Sequence, residues 1–246
     1  MLTDKHVHTH RQRERRSTAV FTLPKLFKAY LSCRQRKRKT INALKFELDW
    51  ESKLFRLEKE LQKHTYQPGR SICFVVTYPK LREIFAADFR DRIVHHLLIN
   101  EIEPYSERRF IYDSFACKKK DCKNKALSRL KKFIYQITKN KTRNAFYGQF
   151  DIKSFFSSID KDILLAILER EIKKSLPVHS QKELLWLAKT IIFHDPTQNY
   201  YLKGKKELFD QIPAHKTLFK TPKNKGLPIG NLTSQFFANV YLNELD

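Results

Sequence analysis

Asp151 is the residue whose position most needs a chemical reason. It stands in "AFYGQFDIKSFFSSIDKDILLAIL" (145–168), where Phe146, Phe150 and Ile152 alternate with Tyr147, Gln149 and Asp151. The alternation predicts a strand that buries the first set and turns Asp151 to the opposite face. Aspartate is depleted in strands, so it calls for a cause. A carboxylate at a strand end, before a turn into a helix, can hold a hard divalent cation through oxygen ligands; the other reading is a buried ion pair or hydrogen-bonded acid. Asp160 needs no such cause, because Ile163, Leu164, Ile167 and Leu168 follow at helical spacing and make it a helix cap.

A second stretch, "GLPIGNLTSQFFANVYLNELD" (226–246), opens on a Gly-x-Pro-x-Gly turn. Pro228 stiffens it, and Gly230 lets backbone approach a partner with no Cβ in the way. The helix expected next carries Asn231, Ser234, Gln235 and Ala238 on one face and Phe236, Phe237, Val240 and Tyr241 on another. The small polar face suits a ligand, and the aromatic one suits a core.

The elements that must position these residues belong to a chain of 246 residues, 41% hydrophobic and 13% aromatic, enough to bury a sizeable core. With 49 Lys+Arg against 26 Asp+Glu, the net charge of +23 makes nucleic acid the leading partner. The charge lies in blocks: residues 1–40 hold twelve Lys/Arg against two acids, and residues 118–143 hold eleven against one. No window approaches the roughly 18 apolar residues of a membrane span, which excludes insertion and predicts a cytoplasmic protein without a membrane partner. Cys33, Cys73, Cys117 and Cys122 match no common zinc spacing, and His6, His8 and His10 lie in a basic tail.

Residues 1–39 read as that tail. From Thr40 to Lys63, Leu54, Leu57 and Leu61 predict one amphipathic helix. Two β-rich runs joined through Tyr78-Pro79-Lys80 predict a hairpin, and Asp88 can cap a helix whose apolar face is Ile93, Val94, Leu97, Leu98 and Ile102, ending near Pro104. His95 and His96 on that helix read as structural or nucleic-acid-facing. A basic amphipathic helix is expected around Leu127, Leu130, Phe133 and Ile134, with phosphate backbone favoured over acidic lipid as its partner. Residues 177–225 show no clear periodicity and read as an insertion of loops and short elements.

In this order the motifs become recognisable. "DIKSFFSSID" resembles the first catalytic motif of reverse transcriptases, and "GLPIGNLTSQ" resembles their later Leu-Pro-Gln-Gly-type motif. Upstream, "KLREIFAADFRDRIVHHLL" and "EPYSERRFIYDSFAC" are similar to the fingers motifs of bacterial reverse transcriptases, so the resemblance covers about residues 40–246. "IGNLTSQ" is similar to the form found in diversity-generating retroelement reverse transcriptases, although "KKKDCKNKAL" replaces that group's Gly-Lys-Gly-Thr-His-like run.

The resemblance implies an α/β (α+β) right-hand polymerase fold, with fingers over residues 40–140 and a partial palm over 141–246 built on an antiparallel sheet with packed helices. It also implies that the thumb and the Tyr-x-Asp-Asp pair are absent from this fragment. The implied reaction copies an RNA template into cDNA, with two Mg2+ ions activating the attacking oxygen and steadying the leaving pyrophosphate. Asp151 and the carbonyl of Ile152 would bind metal. Lys80, Arg82, Ser154, Phe155, Phe156, Ile229 and Gly230 would bind the deoxynucleoside triphosphate, with Phe156 excluding a ribose 2′-hydroxyl. Asn231, Ser234 and Gln235 would face the template. Ile229 stands where most relatives place glutamine, which implies copying that is error-prone at template adenines. Implied partners are the RNA template, an RNA/DNA primer duplex and a small basic accessory protein. The alternatives are a non-catalytic RNA-binding protein with this fold and a retron- or group II intron-like reverse transcriptase.

Overall fold

The computed structural model describes residues 19–35, 37–116 and 122–246, with the side chain of Cys122 also outside the description. His6, His8, His10 and the run Lys118 to Lys120 lie outside the described residues. The chain is mixed α and β. Its helices are α1 (Leu23–Arg34), α2 (Ile41–Glu47), α3 (Trp50–Gln62), α4 (Phe89–Ser106), α5 (Cys122–Ile137), α6 (Phe155–Ser158), α7 (Lys161–Ser175), α8 (Val178–Phe193), α9 (Glu207–Asp210) and α10 (Leu232–Leu242). Its strands are β1 (Ser71–Val76), β2 (Arg82–Ala86) and β3 (Tyr200–Lys203).

The first correction falls on the N-terminal tail. Val20, Phe21, Leu26, Ala29, Tyr30 and Cys33 are buried, so the part of residues 1–39 from Val20 through α1 is core-forming helix and lead-in. Tyr30 stacks on Trp50 at 5.7 Å between ring centres, and Gln62 Nε2 donates to the Phe21 carbonyl, which ties this segment to α3. Apolar residues at helical spacing outweigh the local lysines. The expected single helix over 40–63 is instead α2 and α3, broken at Leu48 and Asp49, while Leu54, Leu57 and Leu61 are fully buried as their spacing predicts.

β1 and β2 form the predicted antiparallel hairpin, with Cys73 opposite Phe85. β3 joins the other edge of β1 in parallel, giving the order β2-β1-β3. The sheet is therefore mixed, where an antiparallel one was expected. Its third strand comes from the segment read as an insertion without periodicity. That segment also holds α8, which buries Leu184, Leu187, Ala188, Ile191 and Ile192; the lysines and aromatics interleaved with them obscure the stripe in the sequence.

Asp88 Oδ1 accepts from the Arg90 N–H and caps α4. Ile93, Val94, Leu97, Leu98 and Ile102 are buried on it, but the helix carries Pro104 within it and runs on to Ser106. Asp160 Oδ1 accepts from the N–H groups of Asp162 and Ile163 at 3.0 and 3.1 Å, capping α7. Asp160→Ala is expected to lower stability by about 1 kcal/mol, the usual worth of such a cap, read as a lower urea midpoint with an unchanged slope. One hydrophobic core joins α1, α3, α4, α7, α8 and α10, running from Val20 to Val240. Cys33 and Cys73 are buried free thiols, their pKa values pushed up by burial to about 11 and about 12. Among the described residues no helix is long and apolar enough to cross a membrane.

Candidate nucleic-acid interface

The strand expected over 146–152 does not form. Residues 144–153 adopt neither helix nor strand, and the side chains of Phe146, Tyr147, Phe150 and Asp151 are exposed. Alternation specifies two faces, but a strand also needs a neighbour for its N–H and C=O groups, and none lies beside this segment among the described residues. Asp151 thus stands in solvent with Ile152 half exposed beside it.

The chain then enters a junction that brings the separated motifs together. Ser154 takes a left-handed conformation (φ 56°) that swings the backbone into α6. Phe155 and Phe156 are half-buried against the core, with ring centres 5.6 Å apart. The turn of residues 226–230 lies against them. The N–H of Leu227 donates to the Phe156 carbonyl and that of Gly226 to the Ile159 carbonyl, both at 2.8 Å. On the turn's other side, the Phe85 N–H of β2 donates to the Ile229 carbonyl at 2.8 Å. Gly230 has φ +122°, and a Cβ there would meet Ile84 Cγ2 at 2.6 Å and the Phe85 carbonyl at 3.2 Å. Only glycine fits this approach.

The polar face expected to meet template is partly consumed by the same junction. Asn231 Oδ1 accepts from the Ala87 N–H at 3.0 Å, and both Asn231 and Ser234 are buried. Of the three residues read as template-facing, only Gln235 is exposed. The reason is geometric, since closing the turn onto β2 rolls the start of α10 against α4. Lys80 and Arg82 are exposed on the β1–β2 hairpin, and neither has an ion pair among the described residues. Those two cations therefore sit on the hairpin whose second strand receives the turn.

Several buried polar groups escape a reading of the sequence alone. Glu83 accepts from Thr217 Oγ1 at 2.7 Å and from the Leu218 N–H at 2.8 Å, and burial raises its pKa. Its alternation with Ile84 and Phe85 was the available signal. Asp91 accepts from Tyr66 Oη at 2.9 Å and the Gly69 N–H at 2.7 Å, and burial raises its pKa too. Beside it a cleft is lined by His95, His194, Pro228, Asn231 and Ser234. His95 is buried with Nδ1 3.4 Å from Thr233 Oγ1, and burial, reinforced by His96 and His194, pushes its pKa down to about 3.

No three His, Cys, Asp or Glu side chains among the described residues are grouped to hold a metal. Asp151 with the Ile152 carbonyl does not supply the donor set of a two-ion Mg2+ site. No protein-family model matches the chain, and no curated protein matches it.

Proposed function

We propose that this chain is the fingers and first palm portion of an RNA-directed DNA polymerase of the diversity-generating retroelement type, working in the cytoplasm on an RNA template and primer duplex. The observation that carries the reading is the junction: the segment of Ser154 to Ile159, the turn of residues 226–230 and β2 meet through main-chain hydrogen bonds, although some seventy residues separate the first two. Three of the four stretches that resemble reverse-transcriptase motifs are thus in contact. Lys80 and Arg82 supply cations for a triphosphate, Phe156 a bulky side chain for sugar selection, and Ile229 the contact near the templating base. Asp151 would be one of the metal-binding carboxylates of the complete enzyme, where Mg2+ would supply the charge that phosphoryl transfer requires.

A second reading, a non-catalytic RNA-binding protein, is favoured by one observation: among the described residues Asp151 belongs to no group of three or more His, Cys, Asp or Glu side chains that could hold a metal. Both readings expect this chain to bind RNA and primer–template duplex without extending a primer. Six or more phosphate contacts would lower affinity by about a thousandfold between 50 and 200 mM salt. Anisotropy titrations across that range test it, and an affinity that stays flat overturns both. Extension of a primer by a form that supplies the remaining carboxylates, abolished by Asp151→Asn, separates the polymerase from the binding protein.

A further inference from the structure

The first two helices turn apolar side chains outward. Ile41, Leu44 and, at the C-cap, Leu48 are exposed, Leu48 by 87%, and their spacing puts them on one stripe of α2 away from the buried Ala43 and Phe46. Phe27 and Leu31, four residues apart on α1, are exposed as well. Two contacts join these stripes into one patch. Arg34, three residues past Leu31, pairs with Glu47, three past Leu44, at 2.6 Å, and the ring centre of Phe27 lies 5.3 Å from that of the half-buried Trp50. The rim carries charge of one sign. Residues 27–48 hold seven Lys/Arg and a single acid, Glu47. The exposed Lys28, Lys37, Arg38, Lys39 and Lys45 have no ion pair among the described residues. α4 stands between this patch and the palm-side helices. Lys25 of α1 pairs with Glu101 at 2.8 Å and Phe46 of α2 packs on Phe89, whereas Thr233 of α10 meets His95 and Glu171 of α7 accepts from Ser106 on another side of α4. The patch therefore looks away from α7 and α10, and a palm completed on their side leaves it open.

We infer that α1 and α2 dock an acidic amphipathic helix of a partner protein, its apolar stripe on Phe27, Leu31, Leu44 and Leu48 and its carboxylates against the cations of residues 37–45. Apolar anchors supply the affinity of such a helix, and complementary charge at the rim fixes its direction. The exposed acids Asp49 and Glu51 lie just past Leu48, so the carboxylate-rich end of the partner belongs over residues 37–39. Other occupants fit less well. An anionic bilayer would set its phosphates over Asp49 and Glu51 too, and would draw the Arg34–Glu47 pair toward hydrocarbon, where charge is costly. RNA would use the cations but leave the leucines in water, since bases stack on aromatic rings. A second copy would bring seven cations against seven. Residues 1–18 offer only Met1, Leu2 and Val7 as large apolar side chains and add five Lys/Arg.

The test uses the full chain and the double variant Leu44→Ser, Leu48→Ser, whose fold is checked by its urea midpoint; if that midpoint falls, Leu48→Ser alone takes its place. The probe is a labelled helical peptide of about 18 residues, five turns, with leucines at i, i+3, i+4 and i+7, glutamates flanking them and alanine elsewhere. A twin peptide carries lysine in place of each glutamate. The variant is expected to bind the glutamate peptide about tenfold or more weakly than the unmodified chain does, and the lysine twin is expected to bind neither. Equal binding of the glutamate peptide by both proteins overturns the inference, because charge alone then holds it. No binding of that peptide to the unmodified chain, or equally tight binding of the lysine twin, overturns it as well. So does a variant that loses only self-association in sedimentation, only binding to phosphatidylserine–phosphatidylcholine vesicles, or only affinity for an RNA duplex. The proposed function is read separately, since duplex affinity is expected to stay within about twofold in the variant. An unmodified chain that binds the peptide but no RNA removes that function and leaves this surface standing.

Discussion

Gly230→Ala is expected to lower the stability of the folded chain by about 2–4 kcal/mol, because it combines backbone strain with a collision. At φ +122° the added Cβ lies 2.6 Å from Ile84 Cγ2 and 3.2 Å from the carbonyl of Phe85. The isoleucine methyl can rotate away, but the carbonyl is main chain of β2, a strand fixed by its pairing with β1. Gly204 is the internal control. Its φ is +100°, yet nothing lies within 4 Å of where its Cβ would stand. Gly204→Ala therefore carries the strain alone and should cost about 1 kcal/mol. Urea unfolding of both variants reads the difference directly. Equal, small losses would mean that the turn is not seated on β2.

Acidification from pH 7 to pH 5 is expected to remove about 2 kcal/mol of stability through His95 alone. Its pKa falls from 6.5 in the unfolded chain to about 3 in the fold, so between those values the unfolded form binds a proton that the folded form refuses. Stability from this group is complete above pH 6.5 and declines as the pH drops toward 3. The groups around it act in known directions. His194, at the end of α8, also has its pKa lowered, chiefly by burial, and adds to the loss. Asp91, one turn back on α4, has its pKa raised by burial; it takes up a proton more readily when folded and opposes the loss only as the pH enters the carboxylate range. Urea midpoints at the two pH values measure the slope, and His95→Gln should flatten it by the same amount. A variant that keeps the full slope would place its origin elsewhere.

Both expectations concern residues that the sequence exposes to very different degrees. Asp88 and Asp160 are legible as caps because a cap is local: an acceptor, an open turn and apolar spacing lie within a few residues of one another. Leu54, Leu57 and Leu61, and the face from Ile93 to Ile102, are legible for the same reason. The segment 146–152 has the pattern of a strand without being one, since its pairing depends on residues elsewhere in space. Asn231 and Ser234 fail as a free polar face because burial depends on where the turn before them docks. Their spacing on the helix says which side they share and nothing about what covers it. Glu83, Asp91 and His95 are hidden more deeply, as a charged letter in a sequence suggests solvent until the partners that desolvate it are known. Of the candidate site, the meeting of two motifs was readable as order along the chain; the contact of their backbones was not.

That contact has a consequence for how such a protein can change over generations. The bonds at the junction run between main-chain groups, from Leu227 to Phe156, from Gly226 to Ile159 and from Phe85 to Ile229. Every amino acid except proline can donate such a bond, and every one can accept it. Substitution can therefore rewrite most of the letters around the junction without loosening it, provided the glycine at 230 and the path of the backbone survive. A lineage built this way can diverge far in spelling while inheriting the same shape.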